Sequence, residues 1–197
     1  MAGKTLTEAI KDDHQEMYEY HDAYKAAAGD PDAQARWARQ LTWEVARHAV
    51  GEEIVVYPLM EKHLGEKGRQ LADHDRAEHQ KVKEYLYDLE SLTAGTADYD
   101  KVITQVMDHL HPHNDDEELT DLPLLEPCLG EEGSKAAAAD FKRTKKFVPT
   151  RAHPSAPNQP PSETLVAFLT APIDKLKDEF AKFPTEEMKE ELKQSRQ

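Results

Sequence analysis

The chain repeats itself at an offset of 65 residues. His14-Gln15 returns as His79-Gln80, and Glu19-Tyr20 returns as Glu84-Tyr85. The run His48-Ala49-Val50-Gly51-Glu52-Glu53 aligns with His113-Asn114-Asp115-Asp116-Glu117-Glu118, and Pro58-Leu59 aligns with Pro123-Leu124. Each half therefore reads His, then His-x-x-x-Glu-Glu 34 positions later, then Pro-Leu. Self-similarity at a fixed period marks the folding unit. Few segments look like strands, so the unit here is a helical hairpin.

Local signals divide the hairpins. Thr5-Leu6-Thr7-Glu8 is a capping box and predicts a helix over 5–28, closed by Gly29-Asp30-Pro31. Asp30 and Pro31 suit the N-cap and first position of a second helix over 31–63, with Pro58 kinking it or ending it early. Gly65 and Gly68 punctuate the next turn, and a third helix follows over 69–91. After the break at Thr93-Ala94-Gly95-Thr96, Asp98 opens a fourth helix reaching 126. Pro112 removes a backbone hydrogen bond there and can kink the chain beside His113. Short links make an all-α, antiparallel up-down four-helix bundle the simplest arrangement. Beyond it we expect a helix over 134–146, a proline-rich strap over 148–161, short helices over 163–169 and 173–182, and a last helix capped by Thr185. The chain thus divides into a bundle, residues 1–130, and an extension, residues 131–197. Leu165, Phe168, Leu169, Leu176, Phe180 and Phe183 offer the extension an apolar face to pack on the bundle.

Charge narrows the function. Acids outnumber bases 39 to 25, for a formal net charge of −14, which argues against a nucleic-acid partner. The one basic cluster, Lys142, Arg143, Lys145 and Lys146, reads as a solvated helix end. A single cysteine, Cys128, excludes an internal disulfide. No apolar leader and no apolar run of about 20 residues is present. A soluble, cytoplasmic protein is expected, with no membrane partner. No oligomeric state follows.

The repeat carries the chemistry. Residues i and i+4 share a helix face, so His48 with Glu52, and His113 with Glu117, point at one spot. His14 and His79 come from the preceding antiparallel helices at a matching height. Two facing hairpins then place four imidazoles and two carboxylates at the bundle centre. Such groups are not buried bare, because each buried carboxylate costs several kcal/mol unless paired or metal-bound. The set suits two metal ions, each taking two His, with the two Glu bridging. Mixed nitrogen and oxygen donors without thiolate favour iron or manganese over structural zinc. Glu53 and Glu118 sit about 100° off this face and read as solvated charges or as supports behind the ligands.

At these residues the chain resembles the haemerythrin-like HHE cation-binding family, over about Thr5 to Leu129. The stretches Lys145…Pro149-Thr150-Arg151…His153-Pro154 and Ala171-Pro172-Ile173-Asp174-Lys175-Leu176 are similar to tails of fungal members. The resemblance implies a four-helix bundle with an oxo- or hydroxo-bridged pair of iron ions, manganese being the second choice. Carried over by position, the ligands are His14, His48, Glu52, His79, His113 and Glu117. Oxygen-carrying haemerythrins use five His, whereas this chain supplies four that match the repeat. It therefore looks more like the subset linked to iron–sulfur repair, nitric-oxide chemistry or oxidase activity.

Further ligands or supports are candidates. His109 lies one turn before His113, and its counterpart Glu44 one turn before His48. His74 lies five residues before His79, and Tyr18 one turn after His14. A nearby aromatic can donate a hydrogen bond or an electron, but packing is the plainer reading for Tyr18 as for Tyr20, Trp43 and Tyr57. His21, His63, His111 and His153 read as surface or packing residues. The expected function is a non-haem di-iron protein that binds or reacts with O2, peroxide or NO, for sensing, storage or redox protection. The alternatives are a di-iron oxidase or oxygenase acting on a small organic substrate, and an iron reservoir or sensor without turnover.

Overall fold

The computed structural model describes residues 3–159 and 162–195, apart from the side chains of Glu163, Leu165 and Phe168. Its helices are α1 (Leu6–Ala26), α2 (Pro31–Leu64), α3 (Glu66–Leu89), α4 (Ala97–Asp116), a π-helical turn (Glu117–Asp121), α5 (Leu122–Thr144), α6 (Ser162–Glu179) and α7 (Glu186–Gln194). None among the described residues is long and apolar enough to cross a membrane.

The expected caps form. Thr5 Oγ1 accepts from Glu8 N at 3.2 Å while Glu8 Oε2 accepts from Thr5 N at 2.8 Å, the reciprocal pair of a capping box. Asp30 caps α2, with Pro31 where a missing N–H is harmless. Thr96, rather than Asp98, caps α4. α2 continues through Pro58 instead of ending there. The fourth helix does not run straight to 126: α4 passes Pro112, then widens into the π-helical turn, where Leu122 N bonds back to Glu117 O. Pro123 follows and has no N–H to offer, so the local ladder re-registers by one residue. At Gly130 (φ +65°) α5 breaks from helical geometry, and its second half crosses back onto α2.

α1 packs on α2, α2 on α3 and α3 on α4, while α5 closes against α1 and α2. The buried apolar side chains form two clusters. One gathers Met17, Leu41, Val45, Leu86, Ile103 and Val106; the other gathers Leu6, Ile10, Val56, Met60, Leu122 and Leu125. On every helix the repeat-matched His and Glu fall between the two sets. A polar layer is therefore sealed above and below by hydrocarbon.

Gly51 lets α5 approach α2 beside that layer. A Cβ built there would lie 2.8 Å from Phe141 Cε2 and 3.2 Å from Lys145 Cγ. Gly51→Ala should therefore cost about 1–3 kcal/mol by overpacking, read as a lower urea midpoint with an unchanged slope.

Beyond residue 130 the sequence reading needs correction in three places. Lys145 is not a solvated helix end: it is 8% exposed, while Lys142, Arg143 and Lys146 are exposed as expected. The two short helices are one, α6, which runs through Pro172. Leu169, Leu176 and Phe180 do not pack but stay exposed at 65%, 61% and 84%. His153, partly exposed in keeping with a surface or packing residue, holds Asp174 at 2.8 Å. Leu165, Phe168 and the strap's Pro160 and Pro161 lie outside the described residues or side chains. The extension is tied down by other contacts. Gln80 Nε2 donates to Pro154 O at 3.0 Å and Arg36 Nη1 to Phe183 O at 2.8 Å, while Ala152, Met188 and Leu192 pack on the first cluster.

Candidate metal centre

The six repeat-matched side chains converge on one layer of the bundle. His14 comes from α1, His48 and Glu52 from α2, His79 from α3, and His113 from the last turn of α4; Glu117 opens the π-helical turn. All are at most 4% exposed. They fall into two donor groups, His14–His48–Glu52–Glu117 and Glu52–His79–His113–Glu117, with ligand atoms within 4.8 Å of one another in each.

The carboxylates split their oxygens between the groups. Glu52 Oε1 lies 3.1 Å from His48 Nε2, and its Oε2 lies 3.5 Å from His79 Nε2. Glu117 Oε2 lies 3.4 Å from His14 Nε2, and its Oε1 lies 3.6 Å from His113 Nε2. The imidazoles pair in the same way: the Nε2 atoms of His14 and His48 are 3.2 Å apart, and those of His79 and His113 are 3.0 Å apart. Neither oxygen of Glu52, nor Glu117 Oε2, meets a donor in hydrogen-bonding geometry. Buried polar atoms without partners are rare in folded proteins. Cations between the Nε2 pairs would satisfy them, so this donor set fits a metal.

Outer nitrogens are held by a second layer of residues. Glu118 Oε1 lies 2.9 Å from His14 Nδ1, Asp13 Oδ2 3.0 Å from His48 Nδ1, and Glu53 Oε1 3.2 Å from His79 Nδ1. Of the two readings of the second Glu in each repeat, the supporting one holds. Glu53 is fully buried and takes Lys83 Nζ at 2.7 and 2.6 Å. Lys145 Nζ bonds Asp13 and, at 2.8 Å, Glu44.

Electrostatics divide the imidazoles. Burial alone would lower His48 and His79, but the carboxylates outweigh it and hold them up at about 10 and about 9, through Glu52 and Asp13 for the first and Glu52 and Glu53 for the second. His113 is pushed down to about 3 by burial and the neighbouring imidazoles, against the pull of Glu117. Glu52, despite full burial, is drawn down to about 2 by His48 and His79.

The additional candidates do not join either group. His74 is exposed. His109 turns to Gln105 O at 3.1 Å and to the Tyr85 ring. Glu44 is spent on Lys145. Tyr18 stacks on His111 and accepts from Asn114 Nδ2 at 3.0 Å. In each case the i−5 or i±4 spacing gave height without direction. Tyr57, read as packing, instead stands at the site, with its hydroxyl 3.2 Å from His79 Nε2 and donating to Glu117 Oε1 at 3.3 Å. Asp75 is a second residue missed. It is 1% exposed, burial raises its carboxyl to about 9, and Glu117 and Asp121 add to that. Its signal was available, since it lies one turn before His79. The repeat pairs Asp75 with Ile10 and Tyr57 with Leu122, so a search for symmetry passes over both.

Residues 5–125 match the Hemerythrin HHE cation binding domain. The chain is also 49% identical over 179 residues to an uncharacterised hemerythrin-like protein of Schizosaccharomyces pombe, covering 91% of this chain and 88% of that one. No solved structure matches significantly. A helical bundle with two His/Glu groups able to hold a metal, and a domain match over more than half its length, place this chain in the haemerythrin HHE cation-binding family.

Proposed function

We propose that the chain is a non-haem di-iron protein whose centre binds or reacts with O2, peroxide or NO. The observation that carries this reading is the pair of donor groups sharing Glu52 and Glu117, each carboxylate turning one oxygen to either side. His14 and His48 would hold one ion, His79 and His113 the other, and the two carboxylates would bridge. Bound iron would supply reversible electron transfer and open coordination positions. The protein's own groups do the rest. Glu118, Asp13 and Glu53 orient three imidazoles by their outer nitrogens. The Tyr57 hydroxyl donates to Glu117 from beside the site. The two apolar clusters exclude bulk water from the layer.

Burial of all six donors to 4% exposure or less favours a ligand of two or three atoms over an organic substrate. The larger grooves, of 490 and 460 Å³ beside Trp43, are lined by none of the six. Sensing, storage or redox protection is the role that follows, in a cytoplasmic setting. Metal analysis of protein purified without added metal, joined to Mössbauer and optical spectra, should give two irons per chain and a visible band that changes with O2 or NO. Protein that holds two irons yet is spectrally indifferent to all three ligands would return the reading to an iron reservoir.

A further inference from the structure

We propose that the two ion positions are held unequally, and that Lys145 and Lys83 are the positioning residues responsible, one for each. The inference rests on the two-iron reading above. Behind His48 stands Asp13, bound by Lys145; behind His79 stands Glu53, bound through both oxygens by Lys83. Behind His14 stands Glu118, whose lysine, Lys11, lies 3.2 Å away on the half-exposed rim. His113 differs. Among the described residues its carboxylate partner is Glu117 alone, on the inward Nε2 side. The His14/His48 position thus has both imidazoles backed, and the His79/His113 position has one.

The backing works through geometry. An imidazole whose Nδ1–H is donated to a carboxylate keeps its Nε2 lone pair aimed inward, with the ring fixed. That carboxylate must itself be held. Asp13 and Glu53 are 8% and 0% exposed, and buried carboxylates at such depth keep their place only with a compensating cation. The ammonium groups of Lys145 and Lys83, both 8% exposed, are those cations. Without one of them the carboxylate loses its compensating ammonium and relaxes away from the imidazole, and the ring loses its anchor. Neither lysine has a counterpart in the repeat, which pairs Lys83 with Tyr18 and ends before Lys145. Lys145 also lies beyond residues 5–125, so the extension reaches into the centre and strengthens one side of it.

The test is chelator-driven release of iron from the full-length, iron-loaded protein, followed optically and by metal content. Wild type should release in two phases, the slower from His14/His48. Lys145→Met should speed the slow phase roughly tenfold or more and leave the fast one alone. Lys83→Met should speed the fast phase alone, and Lys145→Arg, which keeps the charge, should restore the slow one. Helical content of each variant, measured by circular dichroism, checks that it has folded. If Lys145→Met does not fold, Lys83→Met and Lys145→Arg decide the matter on the same two phases. A generic loosening of the bundle would speed both phases in every variant and overturn the proposal, as would a single phase in wild type. Wild type without bound metal is a different result, and it sinks the two-iron reading itself.

Discussion

Glu52→Ala will strip metal from both positions at once. Glu52 belongs to both donor groups, and its two oxygens face opposite sides. With two ions bound as proposed, alanine would remove one oxygen from each and leave each with two imidazoles and a share of Glu117. Losing a residue behind a ligand already costs about 10–100-fold in affinity, so losing a shared ligand should exceed about 100-fold at both sites. Metal content measured after gel filtration should fall from two per chain to near zero. The bundle itself should persist in circular dichroism, because the apolar clusters on either side of the layer do not include Glu52. Loss of one ion with retention of the other would show that the carboxylate serves a single site, and the bridging assignment would fail.

Removing metal from the intact protein should lower its melting temperature by roughly 10 °C near neutral pH. A ligand present at about 1,000 times its Kd stabilises by about 4 kcal/mol. Each kcal/mol moves a chain of this size by about 2–4 °C. The gap should widen as pH rises, for a reason visible in the charges. In the metal-free protein, protons stand in for the missing cations. His48 and His79 are held at about 10 and about 9, above the ordinary 6.5, and Asp75 at about 9, above 3.8. A group raised in the folded state stabilises it fully below its unfolded value and loses that contribution as pH climbs through the folded one. All three groups drain in the same direction, so the metal-free protein should melt lower at pH 9 than at pH 7. Metal binding gains over the same interval, because its competing protons leave. Calorimetry with and without chelator at the two pH values checks this, and a gap that narrows between them would contradict it.

The centre was unusually legible because its elements are local and duplicated. His-x-x-x-Glu fixes a shared face by helix geometry alone, and a second copy at constant offset supplies the opposing wall. The six candidates came from that pattern, and the fold brings all six together. What surrounds them followed no such rule. Glu53 lies one step off the ligand face of its own helix, yet it meets His79 from a neighbouring one. Lys145 stands in a basic run that looks solvated, and only the turn at Gly130 carries it back against Asp13. His74 and His109 lie at plausible heights but face elsewhere. Spacing reports height and angle on one helix and carries no information about which neighbour occupies that direction.

Caps, helix order, the duplicated hairpin and the inward His and Glu were written in the chain itself, since each depends on residues a few positions apart or on a repeat visible by alignment. The partners of those groups were decided only by packing. Lys83 with Glu53, Lys145 with Asp13, Tyr57 beside Glu117, and the exposed Leu169 and Phe180 all depend on contacts between distant segments. A buried charge takes whichever compensating group the closed bundle brings within reach, and that is settled by how the helices cross rather than by the order of residues along any one of them.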